Sequence, residues 1–115
     1  MTVKILHNPR CSKSRATLQL LQDRGIEAEI ILYLETPPGA EELKSILARL
    51  GRSPRELMRK GESEYRELGL DNMALGDDEL ISAMVANPRL IERPVVLANG
   101  KAAVGRPPES VLEIL

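Results

Sequence analysis

An apolar run, a turn, a periodic segment and a second apolar run follow one another up to Leu34, and that order leaves little freedom in how a sheet can begin. Thr2 to His7 reads as a mostly buried strand, since Val3, Ile5 and Leu6 are apolar and Asn8-Pro9 follows as a turn signal. Pro9 also keeps Asn8 extended. A helix is expected from about Ser12 to Arg24, carrying Leu18, Leu20 and Leu21, with Gly25 as its stop. Ile26 to Leu34 then reads as a second strand, because Ile30-Ile31-Leu32 is too apolar and too short for an exposed helix. Strand, helix and strand in this space point to a right-handed parallel unit.

Thr36-Pro37-Pro38-Gly39 breaks the chain, and Leu43, Ile46, Leu47 and Leu50 then repeat at the spacing of one helix face before Gly51. Ser53-Pro54-Arg55-Glu56 combines an N-cap serine, a proline at the first helical position and a capping-box glutamate, so a short helix should run towards Lys60. Another is expected over Glu62 to Leu68. Asp77-Asp78-Glu79 supplies first-turn acids for a helix with Leu80, Ile81, Met84 and Val85 inward, ended by Asn87-Pro88. Residues from about 40 to 90 thus form a helical insert.

Beyond it, Pro94 to Ala98, Asn99-Gly100 and Lys101 to Gly105 spell a hairpin, since Asn-Gly suits a two-residue type I′ turn. That turn sets register. Ala98 faces Lys101, and continuing outward Arg93 comes to lie opposite Arg106. Like charges facing across strands destabilise a sheet unless an anion lies between them. Glu109 to Leu115 should close the chain as a short helix, with Val111, Leu112 and Leu115 turned inward. No repeat, low-complexity tract or linker divides the chain, so one domain over 1–115 is expected.

The loop His7-Asn8-Pro9-Arg10-Cys11-Ser12-Lys13-Ser14-Arg15 holds the only cysteine and the only histidine. Cys11 would sit at a helix N-terminus, where unpaired N–H groups and the positive end of the dipole favour a thiolate. Arg10, Lys13 and Arg15 add positive charge nearby. His7 can act on the thiol as a positive or hydrogen-bonding neighbour. Cys11-Ser12-Lys13-Ser14 is a C-x-x-S pattern, in which Ser14 can donate a hydrogen bond to the thiolate but cannot resolve a mixed disulfide. One cysteine argues for a reducing, cytoplasmic setting and for a second thiol recruited from another molecule. One His and one Cys fall short of a zinc ligand set, so no metal is expected.

Net charge is −1, with 16 basic and 17 acidic residues interspersed, so no basic field favours nucleic acid. Trp and Phe are absent and tyrosines occur only at 33 and 65, which leaves little to stack bases. No apolar run approaches the roughly 18 residues of a membrane span, so no membrane partner is expected.

The loop HNPRCSKSR, the run ILYLETPP, the segment LMRKGE, ERPVV and VGRPPESVLEIL, in this order, resemble the glutaredoxin-coupled arsenate reductases over essentially the whole chain. The resemblance implies an α/β, thioredoxin-like fold: a mixed four-stranded sheet with helices on both faces and the helical insert between strands 2 and 3. It implies that Cys11 attacks arsenate or a similar oxyanion while His7 and Ser14 tune its ionisation. Arg59, Arg93 and Arg106 would bind the oxyanion and then the arsenic adduct, with Asn8 and Pro94 structural beside the site. Glutathione, a co-substrate rather than a bound cofactor, would form a mixed disulfide with Cys11; glutaredoxin would reduce it and arsenite would leave. A monomer is expected. Arg93-Pro94 is a candidate for a cis bond at a strand entry. Three alternatives stand beside this reading. They are a glutathione-dependent thiol reductase with another substrate, a thioredoxin-fold regulator binding RNA polymerase, and an interaction domain with an inert cysteine.

Overall fold

The structure is a computed structural model and describes residues 2–115. It forms two compact units. One comprises the described chain up to Thr36 together with Arg93–Leu115, and the other is Pro37–Glu92.

The first unit contains β1 (Val3–Leu6), α1 (Ser12–Asp23), β2 (Ala28–Ile31), β3 (Val95–Ala98), β4 (Lys101–Val104) and a terminal 3₁₀ helix, Pro108–Ile114. The strands make one mixed four-stranded sheet in the order β2-β1-β3-β4, with β1 parallel to β2 and β3 antiparallel to both β1 and β4. Val3, Ile5, Val96 and Ala98 project from one face into a core completed by Leu21 of α1 and by Val111 and Ile114 of the 3₁₀ helix. Leu21 is fully buried; cutting such a leucine to alanine costs about 2–5 kcal/mol.

The hairpin register is the one expected from Asn99-Gly100, with Ala98 paired to Lys101 and Val95 to Val104. Both turn residues have positive φ, 55° and 72°, as a type I′ turn requires. The second strand is shorter than its apolar run, because the Leu32 carbonyl accepts from the N–H groups of Glu35 and Thr36 at 2.9 Å and starts a turn. As an edge strand, β2 leaves Ile30 half exposed. The chain ends in a 3₁₀ rather than an α-helix. Three residues per turn bury Val111 and Ile114 and leave the expected Leu112 and Leu115 only partly covered.

The second unit contains α2 (Ala40–Leu50), α3 (Pro54–Leu57), α4 (Ser63–Glu67), α5 (Asp77–Ala86) and a short 3₁₀ turn, Pro88–Leu90. Its first and fourth helices bury Leu43, Ile46 and Leu47, and Leu80, Ile81 and Met84. Both α2 and α3 pack on α5. The capping box of α3 forms, Ser53 N–H donating to Glu56 Oε1 at 2.9 Å and Glu56 N–H to Ser53 Oγ at 3.3 Å. The helix stops at Leu57 rather than near Lys60, because Met58 turns extended and bridges antiparallel to Ile91. Among the described residues no helix is long and apolar enough to cross a membrane.

Candidate active site

Cys11 is the N-cap of α1 and has extended backbone, φ −96° and ψ 124°. Its N–H donates to the Asn8 carbonyl at 3.0 Å, and its carbonyl accepts the first helical bond from Arg15 N–H, also at 3.0 Å. Asn8 Oδ1 accepts from Arg10 N–H at 3.0 Å and tightens the same loop. The turn that Asn8-Pro9 dictates therefore delivers the thiol to the helix start, where it is only 9% exposed. An N-cap side chain ordinarily accepts from the N–H groups two and three residues on. The thiol makes no cap hydrogen bond of ordinary geometry, yet the Ser14 and Lys13 N–H groups still act on it.

Burial pushes the thiol up. The Ser14 N–H, a hydrogen bond from the Arg93 side chain, the Lys13 N–H and the Arg93 charge act the other way and prevail, holding Cys11 below the ordinary thiol value. Arg106 joins them. Its Nε donates to the Arg93 carbonyl at 2.8 Å, and its Nη2 donates to Cys11 Sγ at 3.7 Å. The two arginines that the hairpin register sets opposite each other thus converge on one sulfur, and an ionised sulfur offsets their mutual repulsion. The Arg93-Pro94 and Arg106-Pro107 bonds at these positions are both cis.

The loop's own cations lie elsewhere. Arg15 Nη1 donates to the Pro9 carbonyl at 2.9 Å, and Arg10 and Lys13 are exposed. Lys13 serves the sulfur through its backbone, a contribution that its charge conceals in the sequence.

Ser14 and His7 are buried beneath the thiol loop. Ser14 Oγ accepts from Asn8 N–H at 3.0 Å and shares a 2.7 Å hydrogen bond with His7 Nδ1. The hydroxyl that the sequence offers to the thiolate is therefore engaged by His7 and Asn8, and Ser14 acts on Cys11 through its N–H. Burial, and then the Arg15 charge, lower the His7 pKa, so the imidazole is neutral near pH 7. Its hydrogen bond goes to Ser14 rather than, as expected, to the thiol, and its lowered pKa removes the expected positive charge.

Arg59 belongs to the unit Pro37–Glu92. Its N–H donates to the Leu90 carbonyl at 2.7 Å, and its guanidinium is gripped by Glu92 Oε1 at 2.7 Å and Glu62 Oε1 at 3.2 Å. Glu62 also pairs with Arg89 at 2.9 Å. These two carboxylates escaped the sequence reading; Glu62 lies three residues on, but nothing local points to Glu92. A cleft of about 340 Å³ adjoins the thiol loop, between His7–Arg10 and Leu32, Leu34 and Glu35. Among the described residues no three His, Cys, Asp or Glu side chains gather as metal ligands.

The ArsC family matches residues 6–114. A chain of Escherichia coli strain K12 named uncharacterized protein YfgD is 60% identical over 114 residues, covering 98% of this chain and 96% of its own. The arsenate reductase of Neisseria meningitidis serogroup B is 57% identical over 114 residues, covering 98% of this chain and 97% of its own. Among solved structures, the arsenate reductase from Vibrio cholerae superposes with a TM-score of 0.97 at 54% identity, over 100% of this chain and 98% of that one.

Proposed function

The chain belongs to the ArsC family and has its thioredoxin-like fold, and from that premise we propose that it is an arsenate reductase whose nucleophile is Cys11. The observation that carries this reading is a lone thiol at a helix start, lowered in pKa, with two guanidinium groups on its sulfur. Arginine suits a tetrahedral oxyanion because its planar fork donates paired hydrogen bonds and stays charged.

The thiolate attacks arsenic, a Cys11–S–As bond forms and an arsenate oxygen leaves as water. Arg93 and Arg106 hold the remaining oxygens, and Arg59 keeps the oxyanion-binding role that the family resemblance gives it. A glutathione thiol then attacks. Two sulfurs end as a Cys11–glutathione disulfide, and their two electrons take arsenic from the +5 to the +3 state, releasing arsenite. With no second cysteine in the chain, reduction of that disulfide falls to glutaredoxin. The cleft beside the loop offers room for the peptide thiol. His7 and Ser14 hold the loop so that the helix N–H groups face the sulfur. The protein acts as a monomer in the reducing cytoplasm.

The test is arsenate-dependent NADPH consumption with glutathione, glutaredoxin and glutathione reductase. Wild type should turn over and Cys11→Ser should not. A wild-type rate no higher than that of the mutant would refute the reading.

A further inference from the structure

The chain just before Arg106 is pressed against α1 more closely than any residue with a side chain could be. Gly105 is buried, and its N–H donates to the Pro94 carbonyl at 2.9 Å, one step beyond the last pair of β3 and β4. A Cβ built on Gly105 falls onto Thr17 Oγ1, and lies 2.8 Å from Pro94 Cγ and 3.1 Å from Thr17 Cγ2. Neither neighbour yields easily. Thr17 is fully buried and β-branched, and its hydroxyl donates to the Lys13 carbonyl at 2.8 Å. Pro94 is a closed ring joined directly to Arg93. Gly105 is not among the residues of positive φ, so the demand for glycine is spatial rather than conformational.

Each member of this contact adjoins a group that acts on the sulfur. Thr17 lies on the helix that Cys11 caps and is bonded to Lys13, Pro94 follows Arg93, and Gly105 precedes Arg106. We propose that Gly105 is a positioning residue: lacking a side chain, it seats the end of the hairpin against α1, so that Arg93 and Arg106 both reach Cys11. This rests on the reading that the arginine pair serves the Cys11 thiolate. Arg106 Nη2 is already 3.7 Å from Sγ. A displacement on the order of 1 Å, enough to admit a methyl group, takes it beyond hydrogen-bonding range.

The experiment follows Cys11 alkylation by iodoacetamide against pH, and its protection by sulfate, in Gly105→Ala, Thr17→Ala and the double variant. In Gly105→Ala the alkylation midpoint should rise toward the ordinary thiol value, and about tenfold more sulfate should be needed for protection. Thr17→Ala removes both atoms on the α1 side of the clash. Alone it should keep the wild-type midpoint, and in the double variant it should bring the midpoint back toward wild type. A merely structural glycine would lower thermal stability and leave the midpoint and the protection unchanged in the folded protein. That result in Gly105→Ala overturns the proposal, as does a folded double variant no closer to wild type than the single. Should Gly105→Ala not fold, the double variant, in which Pro94 Cγ still meets the new methyl group, decides: a midpoint above that of Thr17→Ala supports the proposal, and a wild-type midpoint overturns it. If neither folds, Gly105 is a requirement of the fold and not of the site, and the proposal fails. Alkylation needs no arsenate turnover, so failure of the reductase reading shows separately, as wild type inactive in the coupled assay.

Discussion

Arg93 and Arg59 are both partly buried guanidinium groups, yet their charges are balanced in different ways. Arg93, with Arg106, faces a thiol whose ionisation it promotes. Arg59 is held by two carboxylates, at 2.7 and 3.2 Å. A carboxylate partner is not consumed by covalent chemistry at the thiol, whereas a thiolate loses its charge when it forms a covalent adduct. On the proposed reading, the arginine pair then meets the charge of the bound oxyanion in place of that of the thiolate. The charge of Arg59 stays largely matched by Glu62 and Glu92, which on the same reading would make it a fixed donor rather than a switching one.

The comparison is open to tests of decreasing size. Arg93→Ala should have the largest effect: arsenate turnover falls by about 10²–10³-fold, the usual loss for one oxyanion donor, and the alkylation midpoint of Cys11 rises as well. A wild-type midpoint in that variant would mean that Arg106 and the helix N–H groups suffice to ionise the thiol. Arg59→Ala should raise KM for arsenate by about tenfold and leave the midpoint where it was. If the midpoint moved as far as in Arg93→Ala, the distinction between the two settings would collapse. Glu92→Gln removes one carboxylate from Arg59 and should lower KM for arsenate by about threefold, the scale of a partly exposed ion pair; steady-state kinetics at low ionic strength would resolve it.

The smallest effect concerns pH and stability. The folded His7 pKa lies below the ordinary value of 6.5. Between the two values the unfolded chain binds a proton that the folded chain does not, so stability is full above pH 6.5 and falls as pH drops toward the folded value. Denaturant midpoints at pH 7 and pH 5 should differ less in His7→Asn than in wild type. An equal difference would place the acid sensitivity elsewhere.

Much of the first unit is legible in the sequence because its signals are short-range. Asn99-Gly100 sets the hairpin register by its backbone preference alone, and register places Arg93 opposite Arg106 without knowledge of the rest of the fold. The Asn8-Pro9 turn places Cys11 at the start of α1 in the same way. What could not be read depends on residues far apart in the chain or on competition for one atom. The Ser14 hydroxyl could serve either Cys11 or His7, and only the position of the strand end decides for His7. Glu92 reaches Arg59 from 33 residues away, after three intervening helical segments. The terminal helix shows the limit of periodicity: Val111, Leu112, Ile114 and Leu115 fit both a 3.6-residue and a 3-residue turn, and packing against the sheet selects the tighter one.

The place of Cys11 at the head of α1 also sets a trade between durability and reactivity. Helices are best begun by serine, threonine, aspartate or asparagine, and a poorer residue there gives up about 1 kcal/mol. Here the position is held by a thiol that makes no side-chain cap bond. Cys11→Ser should therefore be an inert but sturdier protein below the thiol pKa, where the wild type also lacks the anion that its arginines favour. The helix is left under-capped, and the N–H groups a serine would occupy act instead on the Cys11 sulfur.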